Sequence, residues 1–436
     1  MQKSLLAVLV SSALFSINAQ AADLLQVYKQ ALANDATYAS ARANLAAGQE
    51  RTTQGRALLL PTIGASGTHL KNNGEVSPEK LGFVDKENYS GQVQVQLSQP
   101  LFRWANWETY QQSKLSAAAS EAVFAQAQQD VILRVSQAYF DVLTAQDNLT
   151  ATQAQKAATT EQLASAKRNF EVGTQTITDT HEAQAAYDLV VAQEFAALND
   201  LEVKRTALQQ VIGVAPGALA PLRTGVSIAA PQPATLEPWV SAAEEQNYGV
   251  AGAKLNVEIA KREISKQRAG HMPTLDLVAN STRQTASGPN GGITKNNAIG
   301  VSWSVPIFNG FQVTSKVRES IALEDKARND LEASRRLAAQ TARQAFLGVN
   351  NGLAQVKALE AAEVSSKSAL ESNKLGYQVG VRINIDVLNA QRQLYTTQKD
   401  LSKARYDTIM NGLRLKSAAG SLKEADLEPI NALLQH

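Results

Sequence analysis

Two stretches of the chain alternate apolar and polar residues: Gln92-Val93-Gln94-Val95-Gln96-Leu97-Ser98 and Ile299-Gly300-Val301-Ser302-Trp303-Ser304-Val305. A period of two puts one kind of residue on each face of a strand. Weaker partners, Ile63-Gly64-Ala65-Ser66-Gly67 and Leu275-Asp276-Leu277-Val278-Ala279, complete two hairpins. Each strand can extend for about 10 residues, the length of a tilted membrane-spanning β-strand. The polar turns at 71–88 and 285–296, rich in Gly, Asn and Lys, suit external loops. The same alternation also fits ordinary surface hairpins with one buried face.

Elsewhere the period is helical. Val131, Val135, Ala138, Val142, Ala145 and Leu149 recur at alternating spacings of four and three, a coiled-coil seam of small side chains. The 12 prolines leave two long free windows, 101–215 and 307–428. Proline inside a helix costs ~3 kcal/mol, so these windows are where very long helices can form. A helix from Trp104 to Glu171 would run ~100 Å. The break at Val172-Gly173-Thr174 and renewed helix from about Asp179 to Ile212 predict an antiparallel hairpin with Gly173 at its tip. Gly380 has the same place in the second window. Shorter helices are expected at about 23–56 and 239–268.

These features occur twice, about 207 residues apart. Pro61-Thr62-Ile63 returns as Pro273-Thr274-Leu275, Gln99-Pro100-Leu101-Phe102 as Val305-Pro306-Ile307-Phe308, and Gln137-Ala138-Tyr139 as Gln344-Ala345-Phe346. Phe170-Glu171-Val172-Gly173 returns as Tyr377-Gln378-Val379-Gly380, and Gly213 as Gly420. The period is too long for a solenoid, so a domain-sized unit has been duplicated. The expected organisation is a signal peptide at 1–21, a first repeat at 22–215, a Pro-rich linker at 216–238, a second repeat at 239–420 and a C-terminal segment at 421–436. In each repeat a helix is followed by a β-hairpin (62–99 and 274–305) and then a long helical hairpin (101–212 and 307–420). The class is α+β, dominated by long helices.

Composition narrows the chemistry. Without cysteine there are no disulfides, thiolate sites or cysteine nucleophiles. His69, His181, His271 and His436 show no metal-ligand spacing, and no cofactor motif appears. A net charge of +2 favours neither nucleic acid nor disorder. The run Lys261-Arg262-Glu263-Ile264-Ser265-Lys266-Gln267-Arg268 lacks aromatics and reads as a solvated helix face. Lys3, the apolar stretch 5–17 and Ala19-Gln20-Ala21 form an export signal; Ala22 at the mature start excludes a lipoprotein. No later stretch has the ~20 apolar residues of a membrane helix. Four strands are too few to close a membrane barrel, which needs about eight. Two chains would supply eight and three would supply twelve; eight-stranded barrels fill with their own side chains, so a duct favours three. Phe102, Trp104 and Trp107 in one copy, and Trp303, Phe308 and Phe311 in the other, cluster at strand-to-helix junctions, where an aromatic girdle meets the membrane boundary.

The mature start Ala22-Asp23-Leu24-Leu25-Gln26-Val27-Tyr28, the stretch Gly270-His271-Met272-Pro273-Thr274-Leu275, and above all Gly376-Tyr377-Gln378-Val379-Gly380-Val381-Arg382-Ile383-Asn384-Ile385-Asp386-Val387-Leu388 resemble the TolC family of outer-membrane efflux and secretion proteins. The resemblance covers essentially the whole mature chain. It implies a homotrimer with a twelve-stranded barrel in outer-membrane lipid and a twelve-helix tunnel in the periplasm. The segments Pro216–Pro238 and those after Gly420 would band the tunnel's middle. It further implies a periplasmic iris of helix pairs, in which Tyr377 and Arg382 would hold the inner pair through Asp179 and Thr178 of the outer pair. Asp386 would give a ring of carboxylates at the constriction. A second family Asp is Asn389 here, so a doubled acidic ring is not expected. Gly173 and Gly380 would mark the tips where a periplasmic adaptor (membrane fusion protein) docks, with an inner-membrane ABC or RND-type transporter behind it. The expected function is a passive exit duct for efflux or type I protein secretion. The competing class is an exported coiled-coil structural or adhesive protein. A hydrolase has no nucleophile motif, metal cluster or phosphate loop to support it. The residues do not specify a cargo.

Overall fold

A computed structural model describes residues 21–76, 84–223, 225–287 and 291–435. Apart from Ala21, the expected export signal at 1–21 lies outside the described residues, as do 77–83 and 288–290 within the polar turns. The chain runs α1 (Leu24–Asn34), α2 (Ala36–Ala57), β1 (Thr62–Val76), β2 (Val84–Phe102), α3 (Trp104–Glu171) and α4 (Ile177–Ile212). It continues α5 (Glu237–Gln246), α6 (Tyr248–Arg268), β3 (Thr274–Ala286), β4 (Gly292–Ser304), α7 (Gln312–Gln378), α8 (Asn384–Ala418) and α9 (Leu427–Asn431). Two compact units form, and neither is a sequence repeat. One combines Met1–Ala41, Ala125–Tyr248 and Arg335–His436; the other combines Arg42–Phe124 and Gly249–Ser334. Each unit therefore takes corresponding pieces from both copies.

The second unit holds one antiparallel sheet of order β1-β2-β3-β4, so the hairpins of the two copies are joined through β2 and β3. Residues opposite each other share a face. Ile63 pairs with Leu97, Leu97 with Ala279 and Ala279 with Ile299, while Val301 faces Leu277 and Trp303 faces Leu275. This face is apolar and open: Ile299 is 79% and Ile63 71% exposed. The opposite face carries Gln92, Gln94, Gln96, Ser98, Asn280, Thr282 and Gln284. The register shifts between Pro100 and Phe102, where a proline without an N–H interrupts the ladder. Arg103 donates to both carboxylate oxygens of buried Asp276, at 2.8 and 2.6 Å, tying the end of β2 to β3.

The strands are longer than expected. The polar stretches read as loops are largely paired, from Lys71↔Tyr89 to Val76↔Val84 and from Arg283↔Lys295 to Ala286↔Gly292. Backbone pairing continues whatever the side chains are, so the alternation marks only the part of each strand with one apolar face.

In the first unit Val131, Val135, Val142 and Ala145 of the predicted seam are buried, beside Tyr139, Phe140, Leu208, Met410 and Leu413. The Tyr139 hydroxyl donates to the carbonyls of Ala220 (2.8 Å) and Ala22 (3.2 Å). Ala22 bridges to Leu219, and Leu222 to Leu434, gathering the segment at Ala22, the segment after Pro216 and the C-terminal segment on this core. The single helices expected at 23–56 and 239–268 are each broken, at Asp35 and Asn247. Asp35 has extended backbone, and its carboxylate accepts from the amides of Thr37 (2.7 Å) and Tyr38 (3.1 Å), a local bond that competes with helix continuation. Burial alone would raise the Asp35 pKa, but the bonds from Arg134, Tyr38 and Thr37 outweigh it and hold the carboxyl below its ordinary value.

Candidate functional site

The long helices α3 and α4 turn at Gly173, and α7 and α8 at Gly380; both glycines have φ near 78°. Their backbones close alike. The Gly173 amide donates to Phe170 and that of Thr174 to Asn169, as Gly380 donates to Tyr377 and Val381 to Gly376. Such left-handed closure is what glycine permits at a helix end. Beyond the adjacent residues, nothing lies within 4 Å of a Cβ built on either glycine, so both positions face open space.

Side chains then make the tips different. In the first hairpin, Thr176 caps α4: its hydroxyl accepts from the Asp179 amide (3.4 Å), and the Asp179 carboxylate accepts from the Thr176 amide (3.0 Å) and hydroxyl (2.8 Å). This reciprocal box satisfies helix-end donors locally. In the second hairpin the matching residue is Ile383, and no side chain caps α8. The next residue, Asn384, is fully buried and reaches across to the first hairpin. Its amide donates to the Asp179 carbonyl (3.1 Å), and its carbonyl accepts from Gln162 Nε2 (2.6 Å). Gln175 of the first tip donates to the Tyr377 hydroxyl. The Tyr377 ring packs against Leu370, Val387 and Leu394 of its own hairpin.

The residues expected to form the lock are thus joined differently within one chain. Tyr377 meets Gln175, while Arg382 lies 3.8 Å from Asp386, four residues on along its own hairpin. The stem of Arg382 covers Gly376, where a Cβ would fall 2.7 Å from its Cγ. The Asp179 carboxylate is engaged with Thr176, and Thr178 is exposed. Asn389 is exposed and accepts from Arg392 (3.0 Å). Gln162, Gln175 and Asn384 are the contacts sequence reasoning missed. The available signal was Asn384 between Ile383 and Ile385, an amide placed where aliphatics surround it.

Farther from the tips the hairpins share more bonds. Tyr395 donates to the Ala154 carbonyl (3.2 Å), and Ser402 and Tyr406 donate to Asp147. The six aromatics expected to form a girdle lie in the other unit and are all exposed: Phe102, Trp104, Trp107, Trp303, Phe308 and Phe311. Phe308 and Phe311 stack edge to face at 5.5 Å. Among the described residues no helix is long and apolar enough to cross a membrane, and no cluster of three or more His, Asp or Glu could hold a metal ion.

Residues 27–214 and 239–421 match the family model described as outer membrane efflux protein. The chain is 34% identical to outer membrane protein TolC of Vibrio cholerae, with 99% of each chain covered. It is 31% identical to the alkaline protease secretion protein AprF of Pseudomonas aeruginosa, over 95% of this chain and 88% of that one. Its fold matches the crystal structure of the outer membrane protein VceC from Vibrio cholerae with a TM-score of 0.78 at 18% identity, covering 92% and 96% of the two chains. Two matches of the family model, one in each repeat, agree with the duplication read from the residues. The chain belongs to the outer membrane efflux protein family.

Proposed function

We propose that three copies of this chain form a passive exit duct of the outer membrane. The observation that carries this reading is the sheet, with one open apolar face, one polar face and an outer edge on both β1 and β4. Exposed edges and apolar surface of this kind are stable in lipid only when a barrel closes. Three copies supply twelve strands, with the apolar face toward lipid and the polar face lining the pore. The duct performs no chemistry of its own. A periplasmic adaptor docks at the tips marked by Gly173 and Gly380, and an ABC or RND-type transporter of the inner membrane loads it. The relatives named TolC and AprF support roles in efflux and type I protein secretion.

The gate on this reading is the second hairpin, held on the first by Asn384 and Tyr377. Neutral hydrogen bonds contribute ~0.5–1.5 kcal/mol each, so these contacts in three chains amount to roughly 5–13 kcal/mol. That is enough to keep a resting pore shut and small enough for an adaptor interface of ordinary size to offset. Asp386, beside Arg382, gives the narrow end its carboxylates, and Asp179 of the first hairpin receives the second through its backbone carbonyl, which accepts from Asn384.

The test is the purified protein in detergent and in planar bilayers. A stable trimer producing discrete conductance steps is expected. A stable monomer with full β-sheet signal, or a trimer without channel activity under any load, would contradict the duct.

A further inference from the structure

On the apolar face of the sheet, two cations stand directly opposite each other: Arg283 of β3 and Lys295 of β4. Like charges in that position repel, and no carboxylate among the described residues is bonded to either. The next paired row outward holds His69, Gly91, Thr285 and Ile293. Gly67 and Gly91 leave a notch of about 460 Å³ in this face, lined also by His69, Val93, Arg283 and Thr285. A Cβ at Gly91 would fall 2.8 Å from Thr285 Oγ1 and 3.3 Å from His69 Nδ1, so the notch exists because this residue is glycine. Beyond it Lys71, paired with Glu87, lies over the Tyr89 ring, and His69 stacks on the same ring.

Height in the membrane identifies what could meet these cations. From Leu275, at the helix end of the face, to Arg283 is a run of about 27 Å at ~3.4 Å per residue. Tilted by ~40° in a barrel, that run rises to near the outer limit of an apolar band ~25 Å tall. Arg283 and Lys295 therefore sit where long side chains reach headgroups on the side of the hairpin turns, away from the helices.

We propose that the notch around Gly67 and Gly91 binds the phosphate of a phosphorylated glycolipid in the outer leaflet, held by Arg283, His69 and Thr285 of its lining, with Lys295 reaching in from the neighbouring strand opposite Arg283. The phosphate neutralises the opposed cations, a role for which the guanidinium fork is suited. The acyl chains would lie on the apolar band formed by Val93, Val95, Leu97, Ile299 and Val301. This site rests on the barrel reading above, which places that face toward lipid.

Native mass spectrometry of the detergent trimer tests it, with bisphosphorylated lipid A and its dephosphorylated form as probes. One phosphorylated lipid per chain should be retained and the dephosphorylated lipid lost. Arg283→Gln with Lys295→Gln should weaken retention by about tenfold or more, the loss expected for two charge-assisted contacts, whereas Arg283→Lys with Lys295→Arg should keep it. Equal retention of both lipids, parental retention by the neutral pair, or displacement by inorganic phosphate at lipid-like concentrations would each overturn the site while leaving the duct intact. If the neutral pair does not assemble, the comparison of two lipids on the parent decides alone. A parent that forms no trimer would overturn the barrel reading, and the site with it.

Discussion

At matched positions of the two helical tips stand Thr176 and Ile383, Ile177 and Asn384, Gln175 and Arg382, Phe170 and Tyr377. The backbones turn alike around glycines with the same φ. The first tip is self-contained, because Thr176 and Asp179 satisfy its helix end from within. The second has no cap and depends on bonds from Asn384 and Tyr377 to the other hairpin. A duplicated unit has thus diverged into a fixed member and a held one. On the proposed gating the second hairpin moves at its tip, where its bonds to the first are few; farther along, Tyr395, Ser402 and Tyr406 hold the two hairpins together.

The largest effect is expected from removing those bonds together. Asn384→Ala with Tyr377→Phe should raise single-channel conductance several-fold in planar bilayers and make cells permeable to large antibiotics. Thr176→Ala, which touches only the first tip's own cap, should leave conductance near the parent's. Equal opening by both would erase the distinction.

A second experiment separates the open tips from the packed helix ends. Gly420 shares the positive φ of Gly380, but a Cβ there would fall 2.3 Å from the Gln246 carbonyl oxygen. Gly420→Ala should cost about 3 kcal/mol or more, from left-handed strain plus overpacking. Gly380→Ala should cost about 1–2 kcal/mol, from the conformation alone. Denaturant titration of the trimer reads both.

A smaller effect should come from making the tips alike. Ile383→Thr gives the second hairpin the cap it lacks, worth about 1 kcal/mol. The variant should open less often under the same adaptor load. Smaller still is the effect of Asp386→Asn on stability, about 0.5 kcal/mol or less, because its partner Arg382 is 58% exposed and 3.8 Å away. Cation preference should nevertheless fall, with conductance unchanged, as read from reversal potentials in a salt gradient.

Local patterns made much of this fold legible. The seam from Val131 to Leu149, the alternation at Gln92–Ser98 and the recurrence of Gly173 as Gly380 each follow from a period or a backbone requirement within a few residues. Less was legible where partners are distant in sequence. Nothing near Gln96 announces Asn280 opposite it, so the joining of the copies through β2 and β3 was hidden. The break at Asp35 was missed because a local side-chain bond overrode an otherwise continuous helical stretch, and that at Asn247 because its amide donates to the distant Ala418 carbonyl. At the tips, Tyr377, Arg382 and Asp386 stood out by resemblance, but Gln162 on α3 and Gln175 in the turn are ordinary glutamines until Asn384 and Tyr377 are brought against them.

Hydrogen exchange across the two tips of the purified trimer tests the asymmetry most directly. In the Asn384→Ala, Tyr377→Phe variant, amides at 370–395 should exchange faster than in the parent, while those at 162–185 keep parental protection. Equal acceleration in both segments, or acceleration confined to 162–185, would contradict a fixed first hairpin and a held second one.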